Sequence, residues 1–247
     1  MPLYIVSLRI GDPDDITLRA IKTIENSDFV ICEEFKNGRK LLKKLQLEKE
    51  LFSLNEHNED TDSEPIIQKL LFGASAALFS DCGTPLFADP GTHLVARCVE
   101  MGIDVIPVPG ASSLLAALVV CGFPIKQFHY AGFLSRNSEE RKKEIRELSK
   151  INCAIVIYDT PYRLKSLLED LRSELQPPRS ITVAISLTQQ NEQVLRGSIP
   201  EVLKQLGEKP SKREFVLIVS PLQSIIKSKK HVKNRKRSGK MHHRKRR

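Results

Sequence analysis

The chain has 247 residues, 40% hydrophobic and 28% charged, with a formal net charge of +9. That length holds one large domain or two of about 110 residues, and no apolar run reaches the ~18–20 residues that would cross a bilayer. The charge is uneven: Gln223–Arg247 carries 12 Lys and Arg and no acid, leaving 27 basic against 30 acidic residues in the first 222, so the basicity belongs to the tail. Such a run cannot bury enough apolar surface to fold alone. It is expected to be disordered in isolation and to touch RNA phosphates with little sequence specificity, a solubilising tail being the other reading. The N-terminus MPLYIV lacks the basic and long apolar regions of a signal peptide, so a cytoplasmic protein is expected. Five single Cys without a C-x-x-C pair read as buried free thiols.

In chain order, LYIVSL (3–8) reads as a strand ending at Gly11-Asp12-Pro13, and Ile16, Ala20, Ile21 and Ile24 then fall at helical spacing. FVICEE (29–34) is a strand ending in two carboxylates, followed by the basic amphipathic helix GRKLLKKLQL. ELFSLNEHNE (50–59) is a short strand and polar loop, and SEPIIQKLLFG a helix with Ser63 as N-cap and Pro65 in its first turn. ASAALFS (74–80) is a strand that opens into SDCGTPLFADPG. HLVARCVEMG (93–102) is a helix, IDVIPVPG (103–110) a strand, and SSLLAALVVCG a helix closed by Gly122. This alternation implies a parallel sheet with right-handed crossovers and a ligand outside the carboxyl ends of its strands. The turn motifs GDPDD, CEE, NEHNE, SDCGTP and PGASS gather there. After Phe123-Pro124, strands HYAGFL, CAIVIYDTP, SITVAISL, EQVLRGSI and EFVLIVSP with three helices describe a second α/β unit with more antiparallel pairing. The expected division is 1–122, 123–222 and the tail 223–247.

Neither G-x-G-x-x-G nor G-x-x-x-x-G-K-[ST] occurs, and acids flank the available Gly turns, which disfavours a nucleotide di- or triphosphate. SDCGTPLFADPG (80–91) has two Asp and no Lys or Arg. It suits a ligand with positive charge, or with sugar hydroxyls and an amino group: Asp81 can accept hydrogen bonds and Gly83 lets the backbone come close. An ordinary strand-to-helix loop is the alternative. In PVPGASS (107–113), Ser112 or Ser113 can cap a helix whose free N–H groups hold a carboxylate, so the two motifs together suit a zwitterion. His57, among Glu56, Asn58 and Glu59, is an acid–base candidate; no His pair at i, i+4 accompanies it, and no metal is expected. Glu33 and Glu34 end a strand beside the basic stretch Lys36–Lys44, and Arg163 begins a helix where it can bind phosphate or lie in solvent.

Taken together, LYIVSLRIGDPDDITLRAI, FVICEEFKNGRKLL, LNEHNE, LFSDCGTPLFADPG, VIPVPGASSLLAALVVCGFP, YAGFL, IVIYDTPYRL and EQVLRGSI resemble the tetrapyrrole methylase superfamily. Within it they are most similar to the members that methylate small-subunit ribosomal RNA, over about residues 3–220. The resemblance implies a two-domain α/β methyltransferase, a homodimer, with S-adenosylmethionine in the interdomain cleft. It also implies a reaction, methylation of the ribose 2′-hydroxyl of a cytidine in the decoding region of small-subunit rRNA. By motif, Asp81, Gly83, Thr84, Ser112 and Ser113 would touch the cofactor, and Tyr158 and Ala184 would complete its pocket. Glu33, Glu34 and His57 are candidates to take the hydroxyl proton, with Lys36, Arg39 and Arg163 on phosphates. The chain departs from the family in the segments aligned with its T-P-I-G-N, E-D-T-R, E-S-P-H-R and R-E-L-T-K, here Leu8–Asp12, Glu33–Lys36, Tyr158–Arg163 and Ile185–Gln189. Two alternatives stay open: methylation of a small tetrapyrrole or modified amino acid, and a ribosome-binding protein of this fold without turnover.

Overall fold

The computed structural model describes residues 1–55, 59–207 and 212–222; His57 and the basic tail lie outside them. The first sheet contains β1 (Leu3–Val6), β2 (Phe29–Cys32), β3 (Glu50–Ser53), β4 (Ala76–Leu78) and β5 (Val105–Val108), in the order β3-β2-β4-β1-β5 with every pair parallel. Because Leu3 is in register with Ala76 and Val105, and Phe29 with Ala76 and Glu50, the strands end along one edge. The connecting helices are α1 (Leu18–Asn26), α2 (Phe35–Leu45), α3 (Glu59–Leu71) and α4 (Thr92–Glu100), and α5 (Ser113–Val120) follows β5. Thr17 starts α1 by accepting the Ala20 N–H, and the left-handed Gln46 ends α2.

One helix start differs from the sequence reading. Ser63 is not an N-cap: α3 begins at Glu59, Ser63 is buried, and its Oγ donates back to the Glu59 carbonyl one turn earlier. The Glu59 carboxylate instead accepts the N–H groups of Gly91, His93 and Leu94, capping α4 and pinning the far end of the SDCGTPLFADPG turn.

The second sheet contains β6 (Phe128–Phe133), β7 (Ala154–Tyr158), β8 (Ile181–Ile185), β9 (Gln193–Gly197) and β10 (Phe215–Val219), in the order β6-β7-β10-β8-β9. Only β6 and β7 run parallel; the other pairs are antiparallel, as the second unit's sequence implied. Helices α6 (Ser138–Ser149), α7 (Leu164–Glu174) and α8 (Ile199–Leu206) cover one face, burying Ile145, Leu167, Leu168, Leu171 and Val202. The opposite face is covered by α5. Its Leu114, Ala117 and Leu118 pack on Val156, Ala184, Val216 and Ile218, the Thr182 hydroxyl donates to the Cys121 carbonyl, and Arg196 donates to that of Val120. The two sheets are thereby locked together, with the carboxyl edge of the first facing the second.

Candidate active site

Between the sheets lies a cavity of about 290 Å³. The first sheet contributes Ile10, Gly83, Thr84 and Asp89, the start of α5 contributes Ser112 and Ser113, and the second sheet contributes Tyr158, Asp159, Ala184 and Glu214. Six of the seven expected cofactor residues are thus gathered in one place. Gly83 has φ +70, a left-handed turn that side chains rarely adopt, and a Cβ there would meet Ile10 Cγ2 at 3.2 Å. Its N–H donates to the Arg9 carbonyl and its carbonyl accepts the Leu8 N–H, so the turn is stitched to the loop after β1. Thr84 Oγ1 donates to the Ala111 carbonyl and lies 3.0 Å from Ser7 Oγ, fixing the neighbouring strand ends. Ser113 Oγ is 2.7 Å from Tyr158 Oη. Ser112 occupies the N-cap position of α5 but makes no side-chain cap bond, and the Leu114 N–H in that first turn meets the Tyr158 hydroxyl.

Asp81 is separated from these six. It faces a second cavity on the other side of the turn, where it accepts a 2.6 Å hydrogen bond from Asn37 Nδ2. The side changes between Asp81 and Cys82: Ser80 and Asp81 line the second cavity, and Cys82 and Gly83 line the first. Asp89, from the second half of the same motif, lines the cavity that Asp81 does not. Arg163 likewise departs from expectation. Its Nη2 donates to the carbonyls of Leu134 and Ser135, and its Nε lies 3.3 Å from Asp159 Oδ1, so the guanidinium is turned inward to hold a buried carboxylate instead of a phosphate. Glu33 and Glu34 end β2 outside the cavity. Glu33 lines a small depression that adjoins it, and Glu34 is the N-cap residue of α2, exposed. Lys36 and Arg39 are exposed on α2. All five cysteines are free, three of them buried; Cys82 is exposed and lines the cavity. Among the described residues no cluster with metal-ligating character occurs, and no helix is long and apolar enough to cross a membrane.

Sequence reasoning missed Asp89, Asp159 and Glu214, which give the cavity three carboxylates with no Lys or Arg among its lining residues. Burial pushes the Asp89 carboxyl above the ordinary range, opposed by a hydrogen bond from Ser80 and reinforced by the charge of Asp81. Burial also raises Asp159, opposed by the Thr160 N–H and by Arg163. Asp159 Oδ2 is buried without a hydrogen-bond partner. The Arg163 guanidinium meets the other oxygen, so the buried carboxylate keeps its charge partner while one acceptor goes unmet. Phe87, Tyr130, Tyr158 and Phe133 pack edge to face beside it, an aromatic wall suited to a flat ring or a soft cation. A larger groove of about 930 Å³ between β6 and α6 has no such convergence: its charged residues are engaged on the surface, Arg146 with Glu174 and Lys150 with Glu147.

A family model described as Tetrapyrrole (Corrin/Porphyrin) Methylases matches residues 2–203. The chain belongs to the tetrapyrrole methylase family. Among its relatives, ribosomal RNA small subunit methyltransferase I of Synechocystis is 37% identical over 218 residues, covering 88% of this chain and 78% of the relative. The Thermotoga maritima protein of the same name is 35% identical over 218 residues, covering 88% and 97%. The fold matches uroporphyrin-III C-methyltransferase from Thermus thermophilus, complexed with S-adenyl homocysteine, at a TM-score of 0.62 and 18% identity over 89% of this chain and 97% of that one.

The methylase is S-adenosylmethionine-dependent, and the cavity fits that molecule. The start of α5 suits its carboxylate, and the carboxylates and aromatic wall of the lining suit its amino group and sulfonium. The raised carboxyls make a pH test possible. A cationic ligand prefers Asp89 and Asp159 ionised, so its binding releases protons and its affinity climbs as pH rises from the ordinary carboxylate range through their raised values. Calorimetry in buffers of different ionisation enthalpy should record that release; proton uptake would contradict it.

Gly11 sets how closely the two halves approach. A Cβ there would lie 2.5 Å from the Leu187 carbonyl oxygen and 2.6 Å from Thr188 Oγ1, beside the Asp12 N–H to Thr188 Oγ1 bond of 2.8 Å. Gly11→Ala is expected to cost about 1–3 kcal/mol in stability by overpacking. By widening the cleft it should also weaken S-adenosylmethionine about tenfold, roughly 1.4 kcal/mol, in a calorimetric titration.

Proposed function

We propose that the methylase transfers a methyl group to the ribose 2′-hydroxyl of a cytidine in the decoding region of small-subunit rRNA, in the cytoplasm. The observation that carries this reading is the pairing of a carboxylate-lined, cation-free donor cavity with a basic helix beside it. In α2 the residues Lys36, Arg39, Lys40, Lys43 and Lys44 share one face, opposite the buried Gly38 and Leu42, and the helix contains no acid. None of the five pairs with a carboxylate among the described residues. A polyanion suits that ridge better than a small, free substrate does. The names of the rRNA-methylating relatives support the same choice.

When bound, S-adenosylmethionine supplies a methyl group already activated on a positively charged sulfur. The chain's share of the chemistry is to align the hydroxyl, exclude water and accept its proton. Of Glu33, Glu34 and Asp89, the geometry favours Asp89, the one residue lining both the donor cavity and the depression that holds Glu33. Its carboxyl, raised by burial, is a stronger base than a solvated aspartate. Lys36 and Arg39 stay in the reading as phosphate contacts, while Arg163 becomes a positioning residue for Asp159.

A homodimer belongs to the same proposal. Helix α5 is apolar all round, buries Leu114 and Leu118 on the second sheet, and leaves Leu115 and Val119 exposed, a face that a second copy would cover.

The decisive experiment incubates the protein with labelled S-adenosylmethionine and small subunits from cells lacking its gene, then maps the modified nucleotide. Label on a cytidine O2′ of the decoding region is expected. Label on a tetrapyrrole instead, or none on RNA, would overturn the reading.

A further inference from the structure

We infer that the second cavity, of about 340 Å³ and separate from the donor site, seats an RNA nucleotide flanking the one that is methylated. This rests on the RNA-methylation reading above. The cavity lies between α2 and the loop after β1. Its floor is apolar, with Leu8, Ile16, Leu41, Leu45 and Phe79, and its polar lining is Arg9, Asp14, Asn37, Lys40, Lys44, Ser80 and Asp81.

The wall between the two cavities is one chain thick at two places. Leu8 and Arg9 line the second cavity while Ile10 lines the donor site; Ser80 and Asp81 line the second while Cys82 and Gly83 line the first. The two loops are joined through that wall by Leu8 N–H to Gly83 carbonyl at 2.8 Å and Gly83 N–H to Arg9 carbonyl at 3.0 Å. Backbone hydrogen bonds close this partition, so a group held in the second cavity and the group receiving the methyl are different parts of one substrate. An RNA strand crossing the rim meets both requirements with adjacent nucleotides.

The lining matches one nucleotide of single-stranded RNA. Lys40 and Lys44 stand one helical turn apart on α2, both exposed and without a carboxylate partner among the described residues, and Arg9 donates to the Gly11 carbonyl of its own loop. These cations can meet the phosphates on either side of the nucleotide. Phe79, Leu41 and Ile16 offer an apolar floor for the base. The Asn37 amide and the Asp81 carboxylate, already bonded to each other through Nδ2 and Oδ2, keep one N–H donor and the oxygens Asn37 Oδ1 and Asp81 Oδ1 as acceptors for its edge.

The test compares the full-length wild type, Lys40→Ala/Lys44→Ala, and the charge-matched Lys22→Ala/Lys204→Ala, whose lysines lie outside both cavities. Each is titrated against a fluorescent small-subunit rRNA fragment over a salt series. The cavity variant should bind roughly tenfold more weakly at low salt, with a salt slope shallower by about 1.4, the value for two lost single-strand phosphate contacts. S-adenosylmethionine affinity should stay unchanged, and the control should match wild type within about twofold. An abasic nucleotide next to the target should reproduce the loss in wild type. If the two double variants lose equal affinity, or the abasic fragment binds as the intact one does, the seat is disproved. Wild type that binds RNA through this cavity without methylating it would refute the assigned reaction and leave the site standing.

Discussion

Asp89→Asn is expected to lower kcat by about 10²–10⁴-fold, the range for removing a positioned general base, while weakening S-adenosylmethionine about tenfold or less. The split follows from the geometry. Asp159 and Glu214 also line the cavity, so a positive ligand keeps two carboxylates, but neither lines the depression beside Glu33 that Asp89 shares. The wild-type rate should rise with pH through one ionisation above the ordinary carboxylate range, because burial raises Asp89, and Asp89→Asn should lose that limb. Partial recovery in Asp89→Glu would identify the proton acceptor. A kcat within about threefold of wild type would show that the hydroxyl proton leaves by another path.

Arg163→Met should destabilise the fold by about 3–5 kcal/mol, the cost of leaving a buried charge without its partner. For a chain of this size that lowers Tm by roughly 6–20 °C. The Asp159 side chain is 0% exposed, and without Arg163 its Oδ1 keeps only the Thr160 N–H. The carbonyls of Leu134 and Ser135 would also lose a charged donor. Because Asp159 would be protonated more readily, S-adenosylmethionine affinity should fall and its pH dependence should move upward. Adding Asp159→Asn should recover part of the stability, since the uncompensated charge disappears with it. RNA affinity should stay near wild type. A large loss of RNA affinity with little change in Tm would restore Arg163 to the phosphate-binding role its position in the sequence suggested.

The alternation of strands and helices was legible because each parallel strand is a short apolar run closed by turn residues, and of the second unit's antiparallel pairs β8 and β9 are close in sequence while β10 joins β7 and β8 from a distance. The motifs that line the cavity between the sheets were legible as strand-end turns. What the sequence left open was the side to which each residue points. SDCGTPLFADPG contains two Asp, and the chain changes side between Asp81 and Cys82, so that Asp81 lines one cavity and Asp89 the other. Local spacing carries no record of that change. Asp159 and Arg163 sit four residues apart and read as a turn with a solvated cation; only the packing of Leu134 and Ser135 over them reveals a buried pair. In SLLAALVV the missing periodicity was itself informative. A helix apolar all round does not say which sheet it covers, and α5 follows the first sheet in sequence yet packs on the second.

The central claim is that the cation-free cavity between the sheets holds the methyl donor. Amide hydrogen exchange with and without S-adenosylmethionine tests it most directly. Protection is expected in residues 82–89, 112–114, 158–160, 184–187 and 214–216, which line or adjoin the cavity, with little change in α2. Protection centred on α2 and Asn37–Asp81, or none across the cavity segments at saturating cofactor, would contradict it.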